Sequence, residues 1–161
     1  MNHYIDEEFE RIVSPILEID EFNQTKFITH HGITRYDHSM RVAYLSYKVS
    51  KVLRLNYKEV TEAALLHDFF LNEVDHENRA ERLRRHPEYA VNNATKYLDL
   101  SEMQKDIIRT HMFPVTFTPP KYLESWIVNL MDDVAALYEG GYRIHKELRA
   151  VSMLFVFFVV N

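Results

Sequence analysis

The chain contains no cysteine, which excludes disulfide bridges and thiolate metal ligands and leaves nitrogen and oxygen as the donors for any bound ion. That absence suits a reducing cytoplasm, the expected location. Glycine is scarce at three residues and proline numbers five, so the chain lacks the turn residues that an all-β fold consumes at every hairpin. It also lacks an excess of positive charge, with 19 Lys and Arg against 24 Asp and Glu and a formal net charge of -5. Affinity for nucleic acid is built on Lys and Arg that neutralise phosphates, so no nucleic-acid partner is expected. The opening residues carry Asp6, Glu7, Glu8 and Glu10 where an export signal would need a basic region followed by an apolar one. The longest apolar run, residues 151–160, is interrupted only by Ser152 and is about half the roughly 20 residues needed to cross a bilayer.

What is present favours helices around one core. Apolar residues make up 47% of the chain, too many for a disordered segment. A chain of 161 residues fits one domain that buries about 68 to 70% of its unfolded surface. Ile5, Phe9, Ile12, Val13 and Ile16 share a helical face within residues 4–27, giving one or two leading helices with Pro15 as a kink or break. His30-His31-Gly32 reads as a turn. Thr34 then caps a helix reaching about Leu53, with Val42, Leu45, Val49 and Val52 as its inward stripe.

Asn56 and Glu59 open a further helix on which Val60, Ala63, Ala64 and His67 coincide. Residues 72–85 are polar, hold Arg79, Arg82, Arg84 and Arg85, and read as a loop or exposed helix, with order restarting at His86-Pro87. Ser101 and Gln104 form a capping box for a helix that aligns Met103, Ile107, Ile108 and His111. Residues 126–138 return to helical spacing, with Val128, Met131, Asp132 and Ala135 on one side, and Gly140-Gly141 is expected to stop that helix. Residues 141–161 form an apolar C-terminal segment that completes the core or a homodimer contact, with weak membrane-surface contact through 151–160 as the alternative.

His67-Asp68 closes the apolar run Ala63-Ala64-Leu65-Leu66, so two metal-seeking side chains emerge from a packed helix end. Extending the stripe of the preceding helix back by one turn reaches His38, and His111 ends its own helix facing inward. An acid on an apolar face, as at Asp132, needs a partner, and a cation would serve. Taken alone, each histidine reads as a core or surface residue. Together, His38, His67, Asp68, His86, His111 and Asp132 supply imidazole and carboxylate donors suited to a hard or borderline divalent ion.

The segments Tyr36-Asp37-His38-Ser39-Met40-Arg41, Ala64-Leu65-Leu66-His67-Asp68 and Met131-Asp132-Asp133-Val134-Ala135-Ala136-Leu137 together resemble the HD superfamily of metal-dependent phosphohydrolases. The resemblance covers about residues 30–140. It implies an all-α fold: a single compact HD-domain helical bundle over residues 1–161, with leading helices in 1–29 and the metal site in the core. Carried onto this chain, it gives one ion to His38, His67, Asp68 and Asp132. His86 and His111 match the additional histidines of two-metal members, with Asp68 bridging. Asp132 is preferred to Asp133 because the family's final Asp precedes an apolar residue by two positions and Ala-Leu by four and five, as Val134 and Ala136-Leu137 do here.

The activity implied is hydrolysis of a phosphomonoester, phosphodiester or phosphoanhydride, of a nucleotide or related small molecule, by a metal-activated hydroxide that Asp68 orients. The cofactors implied are divalent transition metal ions (Fe, Mn, Co, Ni or Zn), two per chain. Arg41, one turn from His38, or Arg82 and Arg85 beside His86 would grip substrate phosphate, and a solvated helix face is the competing reading for the arginine cluster. His31 is a lesser candidate for lining the site, and His3, His76 and His145 read as surface residues. Many two-metal members carry a glycine and lysine after the His-Asp pair, where this chain has Phe69-Phe70-Leu71-Asn72, and the Gly-Tyr-Pro signature of cyclic-dinucleotide phosphodiesterases is absent after His111. Two competitors follow: a di-iron oxygenase on the same fold, and a nucleotide-binding regulator without turnover.

Overall fold

The structure is a computed structural model that describes residues 6–30, 32–71 and 79–160, with their side chains except at His30, Arg79, Ala80, Arg82 and 142–160. His3, His31 and His76 lie outside the described residues, as does the side chain of His145. The described residues form α1 (Glu7–Leu17), α2 (Asp20–Gln24), a hairpin of β1 (Thr29–His30) and β2 (Ile33–Thr34), α3 (Arg35–Val52), α4 (Tyr57–Leu66), α5 (Arg79–Ala94), α6 (Glu102–Thr110) and α7 (Leu123–Val160). The all-α architecture expected from composition is observed, and α4 sits at its centre, packed against α1, α3, α5, α6 and α7.

Caps fix the starts of the helices that carry the site. Thr34 accepts a bond from the Asp37 amide at 3.0 Å, Asn56 accepts from Glu59 N at 3.4 Å, and Ser101 with Gln104 forms both halves of a capping box. Such caps contribute about 1 kcal/mol each and set where the helical periodicity begins. On α4 they leave Val60, Ala63, Ala64, Leu65 and Leu66 fully buried. The leading helix is tied down as well, because the Tyr47 hydroxyl reaches Asp6 at 3.0 Å and the Tyr57 hydroxyl reaches Glu8 at 2.8 Å.

Four local expectations are corrected. Pro15 does not break α1, which runs through it. The carbonyl that Pro15 cannot serve, Arg11 O, accepts instead from the Ser14 hydroxyl at 3.3 Å. Pro87 does not open a helix but lies inside α5, because its fixed φ is helical and only one backbone bond is forfeited.

The inward face of α3 is Ser39, Val42, Ala43, Ser46, Tyr47 and Ser50, whereas Val52 is 80% exposed. Small side chains there let α3 approach α4 closely, a requirement that outweighs the hydrophobicity of Val49 and Val52. Finally, Gly140-Gly141 does not end α7. Neither glycine has a positive φ, and good helix formers on both sides outweigh a cost of about 1 kcal/mol per glycine. A methyl group at Gly141 would meet nothing within 4 Å. Gly141→Ala is therefore expected to stabilise α7 by up to about 1 kcal/mol, read as a higher Tm and unchanged or greater helicity; a lower Tm would contradict a continuous helix.

Candidate metal centre

Two helices end on the same point. His67 is the C-cap of α4 and His111 the C-cap of α6, so the partial negative charge of two helix C-termini converges there, a setting that favours a cation. Each imidazole is oriented by the same device: His67 Nδ1 lies 2.7 Å from Ala64 O, and His111 Nδ1 lies 2.7 Å from Ile108 O. A carbonyl can only accept, so Nδ1 carries the proton in both rings and Nε2 presents its lone pair to the interior. His67 Nε2 is fully buried with no hydrogen-bond partner.

An orphaned buried lone pair is costly unless something electron-poor meets it. What surrounds it is a cage of donors. His67 Nε2 lies 3.8 Å from Asp132 Oδ1 and 4.0 Å from Asp68 Oδ2. On the other side, His86 Nε2 and His111 Nε2 lie 3.4 and 3.8 Å from Asp68 Oδ1, and 2.9 Å from each other. Atoms bound about 2.1 Å from a common ion sit roughly 3 to 3.4 Å apart, so modest contraction would close each cage.

Three ligand groups are formed, His38 with His67 and Asp68, His67 with His111 and Asp132, and Asp68 with His86 and His111. The structure thus brings together all six residues proposed as ligands from the sequence. Asp68 turns one carboxylate oxygen toward each histidine set, the disposition required of a bridging ligand. The donor set therefore fits divalent ions. Asp133, the alternative to Asp132, is exposed and belongs to none of these three groups.

Electrostatics follow from burial and charge. Burial alone would raise the Asp68 pKa, but the histidines around it, His67, His86, His111 and His38, hold the carboxyl well below the usual range. Asp132 is likewise lowered against the effect of burial, chiefly by its bond to His38. Burial lowers the His111 pKa, assisted by His67, which keeps the ring neutral and able to ligate.

His38 behaves oppositely. Burial would lower its pKa, yet hydrogen bonds to Asp132 and Glu139 raise it to about 10. Its Nε2 is 2.9 Å from Asp132 Oδ1 and its Nδ1 is 3.0 Å from Glu139 Oε2, so without metal both ring nitrogens donate. That pairing adds stability fully present below pH 6.5 and lost as pH rises through about 10. Ligation requires the Nε2 lone pair, so metal loading near pH 7 is expected to expel about one proton per chain. Calorimetry in buffers of different ionisation enthalpy reads this number; a heat independent of buffer would contradict it.

Glu139 was not singled out by sequence reasoning. It is 8% exposed, seven residues beyond Asp132 and so on the same face of α7, and it also pairs with the Arg41 guanidinium. Arg41 is thereby placed beside the centre but engaged by a carboxylate. Arg85 lies on the exposed face of α5, 3.4 Å from Glu81, and the side chain of Arg82 is outside the described residues. Arg35, also unanticipated, is 2% exposed. It donates to Phe70 O and lies 3.6 Å from the centre of the Phe70 ring, clamping the segment that follows His67-Asp68. Phe70 in turn lies 5.4 Å from His86, so an aromatic wall stands where many two-metal members place a lysine. Asn129 holds α7 to the end of α6, donating to His111 O at 2.6 Å and Phe113 O at 2.9 Å.

A helical bundle whose core gathers four imidazoles and two carboxylates belongs among all-helical proteins equipped to hold metal ions. The chain is a member of the HD domain family, whose profile matches residues 35–137. That family falls within the metal-dependent phosphohydrolase superfamily. No curated protein and no solved structure matches the chain. Among the described residues, no helix is long and apolar enough to cross a membrane.

Proposed function

We propose that this chain is a metal-dependent phosphohydrolase that cleaves a phosphomonoester, phosphodiester or phosphoanhydride of a nucleotide or related small molecule. The observation that carries the reading is Asp68, whose two carboxylate oxygens face two separate histidine sets, 3.4 to 4.0 Å away. His38, His67, Asp68 and Asp132 would hold one divalent ion and Asp68, His86 and His111 a second. Two such ions would supply Lewis-acid neutralisation of phosphoryl oxygens and a water acidified from a pKa of about 15.7 toward about 7.

The chain's own residues set the geometry. Two carboxylates provide only two negative charges, which favours an anionic substrate over a neutral one once divalent cations are bound. The side chains of Asp68, Asp132 and His38 keep 16%, 14% and 12% exposure while those of His67 and His111 keep 1%, so the side bearing the carboxylates and His38 is the one open to substrate. Arg41 borders this side and is the basic residue best placed to meet a phosphate, with Glu139 fixing its guanidinium. Asp68, held ionised, orients the attacking water toward phosphorus, where one P–O bond forms as another breaks.

The test is a panel of phosphomonoesters, phosphodiesters and nucleotides assayed anaerobically with Mn, Fe, Co, Ni or Zn. Metal-dependent phosphate or nucleotide product is expected without oxygen. Product formation that strictly consumes oxygen, or tight nucleotide binding with no product in any metal, would sink the proposal.

A further inference from the structure

The helix α7 has two faces. One is occupied: Val128 and Ala135 are fully buried, Glu139 is 8% exposed, and Asp132 reaches His38. The other carries Leu123, Leu130, Val134 and Leu137, which are 42% to 77% exposed, with Trp126 and Tyr138 alongside. Together with Ile127, which is tucked against the domain, these positions advance by four, three, four and three residues.

The alternation does not stop at Leu137. In the sequence it continues through Gly141, Ile144, Leu148, Val151, Phe155 and Phe158, apolar throughout, with Gly141 the position lacking a side chain. Its period is 3.5, that of a coiled-coil seam. An apolar stripe serving only one straight helix follows 3.6 residues per turn. A strict 3.5 repeat drifts from it by about 20° per heptad, so over the nearly four heptads from Leu123 to Leu148 the stripe stays in register only with a helix wound around it. The run 151–160, apolar at all but Ser152, fits any spacing.

We propose that α7 pairs with the α7 of a second copy of this chain, forming a two-stranded coiled coil that joins two HD domains. The size of the surface supports a second copy. The exposed parts of Leu123, Trp126, Leu130, Val134, Leu137 and Tyr138 amount to on the order of 700 Å² per chain, close to the roughly 800 Å² per partner of a stable interface. The rest of the helix, at about 1.5 Å per residue, would lengthen the seam further.

Charge is compatible with self-pairing. In a parallel pair the flanking positions bring Asp133 against Tyr138 of the other copy, both exposed, so an acid meets a hydroxyl and no like charges are opposed there. A lipid surface fits this part of the helix poorly. Residues 123–141 contain Glu124, Asp132, Asp133 and Glu139 and no Lys or Arg, and anionic lipid repels that sign.

The test is sedimentation equilibrium of the full chain at micromolar concentration, beside the double variant Leu130→Glu, Leu137→Glu. Both leucines are exposed and outside the metal centre, so circular dichroism and metal content serve as checks that the bundle is intact. The wild-type chain is expected at twice its 19.3 kDa mass. The variant, intact by those checks, is expected as a monomer, its self-association at least about 100-fold weaker because two charges would be buried in the seam. A monomeric wild-type chain, a dimer indifferent to both substitutions, or monomeric protein that floats with phosphatidylcholine/phosphatidylglycerol vesicles would each overturn the proposal.

Discussion

Asp68→Ala is expected to lose turnover by at least about 10³-fold, since the Lewis-acid contribution at risk is several kcal/mol and each 1.36 kcal/mol is a factor of ten. The reason lies in its two oxygens. Asp68 offers a separate oxygen to each side, Oδ2 toward His67 and Oδ1 toward His86 and His111. Removing it should therefore deplete both halves of the centre together.

The helical bundle should survive this change, because Asp68 lies just beyond the end of α4 and its side chain packs no part of the apolar core. Metal analysis and far-ultraviolet circular dichroism of the same sample read both consequences. Asp68→Asn, which preserves shape, separates charge from volume and should fail in the same way. A folded Asp68→Ala protein that retains full metal and activity would contradict the bridging role, and wholesale unfolding of both variants would make Asp68 structural.

Glu139→Gln is expected to weaken metal binding by about 10- to 100-fold, the usual consequence of losing the carboxylate behind a ligating imidazole. Glu139 Oε2 accepts from His38 Nδ1 at 3.0 Å, which fixes the tautomer that leaves Nε2 for the ion and makes that nitrogen more basic. It is a positioning residue, acting through His38 and holding Arg41 at the same time. The deficit should appear as a shifted metal titration, with activity largely recovered at saturating metal, and the metal-free protein should show a lower Tm near neutral pH because the pairing of Glu139 with His38 and Arg41 is lost. A titration curve superimposable on wild type would contradict this role.

Much of the centre was legible because its residues continue patterns that packing enforces. His67 and His111 extend the buried faces of α4 and α6, and His38 lies one turn before buried Val42. Asp132 sits with Val128 and Ala135 on the inward side of α7. A polar donor in step with an apolar stripe is driven into the core by its neighbours, and it can stay there only with partners.

What was not legible had nonlocal causes. Glu139 fell one residue beyond a helix expected to yield at Gly140-Gly141, although its spacing of seven from Asp132 was the available signal. Arg35 gave no pattern at all, because its burial depends on a carbonyl and a ring at Phe70, 35 residues away. The face of α3 was misjudged because side-chain size at a close helix crossing, rather than hydrophobicity, chose Ala43, Ser46 and Ser50. The heptad seam was hidden in the same way: read as a short helix followed by an apolar tail, residues 123–160 show two fragments, and read as one helix they show one period from Leu123 to Leu148.

The central claim is that the six His and Asp side chains form a two-ion centre shared through Asp68. Anomalous scattering from crystals of anaerobically purified protein, with metal content measured on the same preparation, tests it most directly. Two peaks per chain are predicted, one among His38, His67, Asp68 and Asp132 and the other among Asp68, His86 and His111. No peak in this cluster under saturating metal, or ions bound elsewhere with these side chains unengaged, would contradict it.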